Sequence, residues 1–230
     1  MVLAVTTVLA GLLFPVLSEA RQRADRVISA NNLRTIGLAV TMYDGDWGSM
    51  PAASLLEEGG SPSELTMVYR ADRHDAMGPY AVPLSGWDGL GRLWQWGYSD
   101  TPIIFFAPHL VDRFEQDRLE QEFRDPSGIE LHSDYHYGGH VAWDTGARRF
   151  LHEQGLVIAS DTLRWVNQLN HEDGLNLVRN DGSVEWEAFT PEFLEALARP
   201  WESPDQVKDR YLPLWRSLEG GSPPAGGEGG

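Results

Sequence analysis

The opening stretch of the chain, residues 1–43, constrains the fold more than any other feature. Its first part, Met1 to Leu17, contains no charged side chain, and Pro15 is its only proline. Beyond it, apolar and small residues recur every three or four positions, which predicts one face of a helix. This face comprises Leu17, Ala20, Ala24, Val27, Ile28, Asn31, Thr35, Leu38 and Met42. We expect it to lie along a soluble domain, with the charged residues turned away: Glu19, Arg23, Arg26 and Arg34. At ~1.5 Å per residue, the helix would be roughly 65 Å long.

The uncharged run Met1–Leu17 has three interpretations. A membrane helix needs ~20 apolar residues, so the run is slightly short. A secretory signal peptide would have a basic start, which the run lacks, and a small-residue cleavage site, for which Ser18-Glu19-Ala20 is a poor match. A buried core helix is the third interpretation. The arginines that follow at Arg21, Arg23 and Arg26 favour a membrane anchor, although they oppose the positive-inside rule for an exported domain.

Composition excludes several classes of function. The formal net charge of −16 argues against nucleic-acid binding, which requires a basic surface. The chain contains no cysteine, so it has no disulfide framework, no cysteine-ligated zinc and no thiol chemistry.

Four segments carry a resemblance to a known family. The first is LLFPVLSEARQRADRVISANNLRTIGLAVTMYDGDWGSMP (12–51), which includes Asn31, Asn32 and Gly37 in S-x-N-N-L-x-x-I-G-L-A. The others are GLGRLWQWGYSDTPIIFFAP (89–108), SDYHYGG (133–139) and residues 157–186, where nine residues separate His171 from Asp181-Gly182. Together they resemble bacterial type II secretion pseudopilins and other type IV pilin-like proteins, in the branch with a C-terminal H-x9-DG signature. Ala107 stands where the family usually has cysteine.

The resemblance implies a non-enzymatic structural subunit with no cofactor. Its N-terminal helix would sit in the inner membrane as a single pass and pack with other pilin-like subunits as a homo- or hetero-oligomer, while its globular domain would lie in the periplasm. The family's basic leader is not represented before Met1. Either the start lies too late or peptidase processing has been lost.

The rest of the chain predicts an α+β domain of the pilin-like kind, in which a long N-terminal helix packs on an antiparallel sheet with small added helices. We expect a membrane and assembly helix at 1–44, the α+β domain at 45–218 and a disordered Gly-rich tail at 219–230. Residues 61–73, 109–125, 191–200 and 205–218 predict helices, and 90–98 is open between helix and strand. Strands are predicted at 103–108, 129–137, 140–145, 147–153, 156–160, 175–179 and 184–189.

The H-x9-DG signature does not predict a shared site. If residues 175–179 form a strand, His171 enters the hairpin and Asp181 lies at its tip, so the two are ~20 Å apart. Gly182 suits a turn with positive φ. The better partner for His171 is Asp161, through a hydrogen bond that closes the 161–173 loop. The alternative is a metal site, with calcium as the candidate ion, formed by Asp161, His171 and Asp173, with Glu172 as a further ligand.

Two other clusters have competing interpretations. His132, His136 and His140 have helical spacing but lie in strand-like sequence, so zinc is a weak alternative to separate structural roles. The tryptophans form either core and interface anchors or a sugar-stacking platform. They include Trp87, Trp94, Trp96, Trp143, Trp165, Trp186, Trp201 and Trp215.

Three functions therefore follow from the sequence. The first is the membrane-anchored structural subunit. The second is an anchored binding module for a glycan or a divalent cation, using segment 87–98 or loop 161–173. The third is a hydrolase that uses His171 and Asp161, although no nucleophile elbow or phosphate loop is present.

Overall fold

The computed structural model describes residues 2–54, 65–71, 86–108, 113–126, 129–142, 145–163, 169–198 and 204–220, and within these it gives no side chains for 2–12, 113–114 and 204–210. The α-helices are α1 Val2–Trp47, α2 Gly91–Gln95, α3 Arg113–Arg124, α4 Pro191–Ala198 and α5 Pro204–Leu218. The strands are β1 Met67–Tyr69, β2 Leu131–His132, β3 Tyr135–Tyr137, β4 Val157–Asp161, β5 Gly174–Arg179 and β6 Val184–Ala188.

A four-stranded antiparallel sheet, in the order β3-β4-β5-β6, forms the centre of the domain. Tyr135 pairs with Asp161 across β3 and β4, and Asn176 pairs with Trp186 across β5 and β6. β1 and β2 form a separate two-stranded antiparallel ladder. The long helix α1 packs across β4 and β5. This arrangement confirms the predicted α+β, pilin-like fold.

Helix α1 is longer than its sequence pattern predicts. The helix was predicted to end at residue 44, but it continues to Trp47 and is followed by Gly48, which has a φ of +66°. The Gly48 amide donates to the Asp44 carbonyl at 2.7 Å, which satisfies one of the last free carbonyl groups of the helix.

The buried face of α1 is not the predicted one. The face that packs on the sheet contains Ser29, Leu33, Ile36, Ala39, Val40 and Tyr43. The predicted face is exposed instead: Leu38 keeps 62 % of its surface and Met42 keeps 52 %. Both faces carry apolar residues at helical spacing, so periodicity alone could not decide between them. The sheet selects the face at Gly37, where an added Cβ would lie 2.7 Å from Val178 Cγ2.

An aromatic cluster forms a second part of the core. The Phe123 ring of α3 lies 5.3–5.9 Å from four other aromatic rings, those of Trp87, Trp94, Phe105 and Phe106. The sequence pattern of the 109–125 helix predicts that Leu110, Phe114, Leu119 and Phe123 face inward. Leu119 and Phe123 are buried, and Leu110 and Phe114 lie outside the described side chains.

Three local predictions were wrong. Residues 67–69 form β1, not part of a 61–73 helix, because Met67 and Tyr69 find partners in β2. Residues Pro102–Phe105 form a 3-10 helix rather than a strand, because proline begins it and the Thr101 side chain caps it. The predicted strands at 140–145 and 147–153 are reduced to one bridge between Val141 and Arg148 in the described part of this region.

The other elements agree with the sequence pattern. The 90–98 segment, which was open between two forms, begins with the short helix α2. The hairpin of β5 and β6, with Asn180-Asp181-Gly182-Ser183 at its turn, is confirmed, as are helices α4 and α5. Most of the predicted tail, from residue 221 onward, lies outside the described residues.

Candidate functional site

The buried carboxylate of Asp161 joins α1 to the sheet. Asp161 ends β4 and is only 1 % exposed. Its Oδ1 accepts hydrogen bonds from Ser29 Oγ on α1 and from Asn170 Nδ2 at 3.0 Å. Its Oδ2 accepts from the Asn176 amide at 2.6 Å and from Asn176 Nδ2 at 3.0 Å. A buried charge needs such donors, because a carboxylate without them is costly to remove from water.

Asn176 adds a second link between the sheet and α1. Its Nδ2 also lies 3.2 Å from the Arg26 carbonyl, to which it donates. The Arg26 guanidinium carbon lies 3.2 Å from the centre of the Trp186 ring, on β6. Asp161, Asn176 and Trp186 thus fix the part of α1 near Arg26 and Ser29 to three consecutive strands.

His171 lies beside this carboxylate. Its Nε2 is 3.4 Å from Asp161 Oδ2, and its side chain is almost completely buried. The ring also lies 5.4 Å from the Trp186 ring. The structure therefore brings together the two residues that the sequence paired. At 3.4 Å the contact is long for a hydrogen bond, and the closer donors to Asp161 are Ser29, Asn170 and Asn176.

The alternative metal site does not assemble from these residues. Asp161, His171 and Asp173 were the predicted ligands, and the Asp161 oxygens are occupied by the donors described above. Within the residues that the structure describes, no group of three or more His, Cys, Asp or Glu side chains could hold a metal ion.

Asp181 and Gly182 lie at the opposite end of β5 from His171, as the hairpin geometry predicted. Gly182 has a φ of +82°, a conformation that glycine adopts readily. Asp181 Oδ1 accepts a hydrogen bond from the Ser183 amide at 2.9 Å. Hydrogen bonds from Ser183 lower the pKa of this exposed carboxyl group. The two ends of the H-x9-DG signature therefore serve separate structural purposes.

The three other motif residues of α1 have different environments. Asn32 Nδ2 donates to the Phe106 carbonyl at 3.1 Å and to the Tyr135 hydroxyl at 3.0 Å, so it ties α1 to the sheet and to the 3-10 segment. Gly37 permits the close approach to Val178. Asn31 is exposed, and its Oδ1 accepts from the Arg34 guanidinium at 3.2 Å.

The three histidines with helical spacing do not form a common site. His132 Nδ1 lies 3.3 Å from Thr66 Oγ1. The buried His136 ring lies 5.8 Å from the Tyr211 ring and from the Trp215 ring.

His140 is held in its neutral form. Its Nδ1 accepts a hydrogen bond from the Ala53 amide at 3.1 Å, which requires that nitrogen to be unprotonated. Burial lowers the His140 pKa to about 4, and this effect outweighs the opposing charge of Asp88. A neutral imidazole is therefore part of the core packing.

Sequence reasoning missed a second carboxyl group of this region, that of the partly buried Asp134. Burial and the nearby Asp161 charge raise the Asp134 pKa to about 6, although the hydrogen bond from the Ala107 amide at 2.8 Å opposes this rise. Sequence reasoning also missed Ser29 and Asn176. The available signal was a polar side chain inside an apolar pattern, as with Asn176 between Leu175 and Leu177.

The tryptophans divide between core and surface. Trp87 and Trp215 are buried. Trp96, on the turn after α2, and Trp47, at the end of α1, are 39 % and 40 % exposed, and their rings lie 4.8 Å apart. Trp143, Trp165 and Trp201 lie outside the described residues.

The first described side chains of α1 are apolar and exposed. Leu13, Phe14, Val16 and Leu17 keep 56–72 % of their surface. Within the part of the chain that the structure describes, no helix is both long enough and apolar enough to cross a membrane. The predicted membrane run Met1–Leu17 falls mostly outside the described side chains, which begin at Leu13.

Comparison with known proteins gives one result. No curated protein and no solved structure matches the chain. Residues 18–126, slightly less than half of the chain, match the model of a family described as a protein of unknown function, DUF1559. The match begins at the end of the apolar run and covers the docked part of α1, Asn31, Asn32, Gly37 and most of the aromatic core.

Proposed function

We propose that this chain is a non-enzymatic, pilin-like structural subunit of a type II secretion or type IV pilus-like envelope assembly. The supporting observation is the division of α1 into a half that is docked on the sheet and a half that is not. Leu33, Ile36 and Val40 are completely buried in the domain, whereas Phe14 and Leu17 expose 72 % and 62 % of their surface. A helix with this division joins a folded domain to an apolar environment outside it.

The outer face of the docked half supports assembly. Val27, Ile28, Leu38 and Met42 are all large, apolar and at least 45 % exposed. They lie at helical spacing on the exposed side of α1, as two apolar pairs separated by the polar Asn31 and Thr35, and together they form the outer stripe. Burial of apolar surface contributes roughly 25 cal/mol per Å², so a neighbouring helix on this stripe would be stabilising. We propose that other pilin-like subunits, copies of this chain or relatives, supply that helix.

Polar contacts between α1 and the sheet explain how the helix can carry the domain. Ser29, Asn32 and Asn176 form hydrogen bonds between α1 and the strands beneath it. Such links have a definite geometry, whereas an apolar face can slide.

The proposed subunit is anchored in the inner membrane by its first residues, with the domain in the periplasm. Its net charge of −16 keeps it away from nucleic acid.

Membrane fractionation tests the anchor. Leu13→Asp places a carboxylate in the exposed apolar segment, where the cost reaches ~3 kcal/mol near the middle of a membrane helix. We expect the variant to leave the membrane fraction, and Asn31→Asp, at an exposed position on the same helix, to remain there. Retention of Leu13→Asp in the membrane would contradict the anchor.

Cross-linking tests the assembly. Because the chain has no native cysteine, Leu38→Cys introduces a single thiol in the outer stripe. We expect it to cross-link to another subunit in membranes. Gln154→Cys, at an exposed position in a loop outside α1, is the control. Equal cross-linking at the two positions would contradict packing through the stripe.

A second function, glycan binding, is favoured by the exposed Trp47 and Trp96 rings. Sugars stack on exposed aromatic faces, and the Trp47 and Trp96 rings provide two such faces side by side. Calorimetric titration with oligosaccharides tests it. Trp96→Ala should abolish the heat of binding, whereas Phe150→Ala, at an equally exposed aromatic residue, should not. No heat from the unmodified chain would leave the structural function alone.

A further inference from the structure

A groove of about 690 Å³ lies where α1 leaves the domain. One wall is the α1 segment from Ser18 to Arg26, and the other is formed by residues 169–173 and Trp186. The groove begins at Ser18, directly after the last residue of the uncharged run. We infer that it binds phosphoethanolamine headgroups of the bilayer, an inference that depends on the proposed membrane anchor.

The position of the groove agrees with the depth of a headgroup layer. The polar layer on each side of a bilayer is roughly 5–8 Å thick. At ~1.5 Å per residue, it covers Ser18 to about Gln22 if Leu17 ends the membrane segment. Side chains on a helix lean towards its N-terminus, so Arg21 and Arg23 lean towards the membrane. The groove therefore lies at the depth of the lipid headgroups.

The charges of the groove suit a zwitterion. The α1 wall carries Arg21, Arg23 and Arg26 along with Asp25 and Glu19, and the opposite wall carries exposed Glu172 and Asp173. Arg21 pairs with Asp25 at 3.9 Å and Arg23 with Glu19 at 2.6 Å, and both arginines remain 76 % exposed. Exposed ion pairs of this kind are weak, so a phosphate can recruit the guanidinium groups.

The opposite wall distinguishes between headgroups. The ammonium group of phosphoethanolamine has hydrogens to donate to the Glu172 and Asp173 carboxylates, whereas the quaternary ammonium of choline has none. The described residues that line the groove form no aromatic cage for choline, because Arg26 already covers the Trp186 ring at 3.2 Å. The contact of Arg26 with Trp186 keeps the two walls facing each other.

Spin-label accessibility tests this inference on the full chain. A nitroxide is attached at Gln22→Cys in the groove or at Gln154→Cys in the loop that contacts Asn180 at the far end of β5. The chain is reconstituted in vesicles of phosphatidylcholine, with or without phosphatidylethanolamine. We expect phosphatidylethanolamine to shield the Gln22 label from a water-soluble nickel complex and to leave the Gln154 label accessible. The double variant Glu172→Gln with Asp173→Asn should lose the added shielding and keep the circular dichroism of the folded chain.

The outcomes separate this inference from the anchor. If the chain does not float with the vesicles, the anchor is refuted and the headgroup site with it. If it floats but the two labels are equally accessible, the anchor stands and the groove does not meet the headgroups. If shielding is the same in both lipid mixtures, or survives the double variant, phosphoethanolamine recognition is refuted.

Discussion

Two leucines on α1 allow a direct test of which face of the helix is buried. Leu33 is completely buried, whereas Leu38, five residues later, is 62 % exposed. Leu33→Ala removes buried methyl groups from the contact with the sheet, which costs ~2–5 kcal/mol. Leu38→Ala removes contacts mainly with solvent, and alanine is as good a helix former as leucine, so we expect a change within ~0.5 kcal/mol.

Urea unfolding of the detergent-dispersed chain, followed by tryptophan fluorescence, measures both variants. With a slope of roughly 1–3 kcal/mol per M, Leu33→Ala should lower the unfolding midpoint by about 1 M or more. Leu38→Ala should leave it nearly unchanged. The pair is matched in residue type, in substitution and in helix. An equal loss at both positions, or a larger loss at Leu38, would refute the assignment of the buried face.

Three further predictions concern Asp134, His140 and Gly37. The Asp134 pKa is about 6 in the folded state, against an ordinary value of 3.8, so the folded state binds a proton more tightly and stability should rise as pH falls from 6 to 4. Asp134→Asn should remove this rise, which is about 3 kcal/mol at most. Unfolding measured from pH 4 to 8 tests it. His140 should give the opposite pH dependence of stability, since its pKa in the folded state, about 4, lies below the ordinary 6.5. Stability should therefore fall as pH is lowered from 6.5 to 4, and His140→Gln should reduce that fall. An unchanged slope in either variant would contradict the pKa shift of the residue replaced. Gly37→Ala should destabilise the fold by ~1–3 kcal/mol, although alanine has the higher helix propensity, because the new methyl group would contact Val178. The double variant Gly37→Ala with Val178→Ala should lose less stability than the sum of the two single losses. Strictly additive losses in thermal unfolding would show that the two side chains do not contact each other.

Much of the local structure was predictable because its causes are local. The uncharged and then amphipathic run up to Tyr43 predicts a long helix, and Asn180-Asp181-Gly182-Ser183 predicts the hairpin turn, since both depend on neighbouring residues. Proximity of His171 to Asp161 also followed, because antiparallel strands return a chain to the same end of the sheet.

The partners of Asp161 could not be predicted. Ser29 is 132 residues away in the chain, and no local pattern links the two. The same holds for β1, whose partners in β2 are more than 60 residues distant, and which therefore resembles a helix when only its neighbours are considered. Non-local hydrogen bonds decide the state of such short segments, because their local preferences are weak.

The sequence by itself thus determined that a long helix with an uncharged first part precedes an antiparallel α+β domain. Only the tertiary structure decided which face of that helix is buried. Two apolar stripes with the same period have nearly equal local energies, and the choice between them comes from contacts with the sheet. The Val178 side chain packs closely where residue 37 is glycine, and the buried Asp161 carboxylate accepts a hydrogen bond from Ser29. The stripe that was left outside, with Leu38 and Met42, is the surface on which the proposed assembly depends.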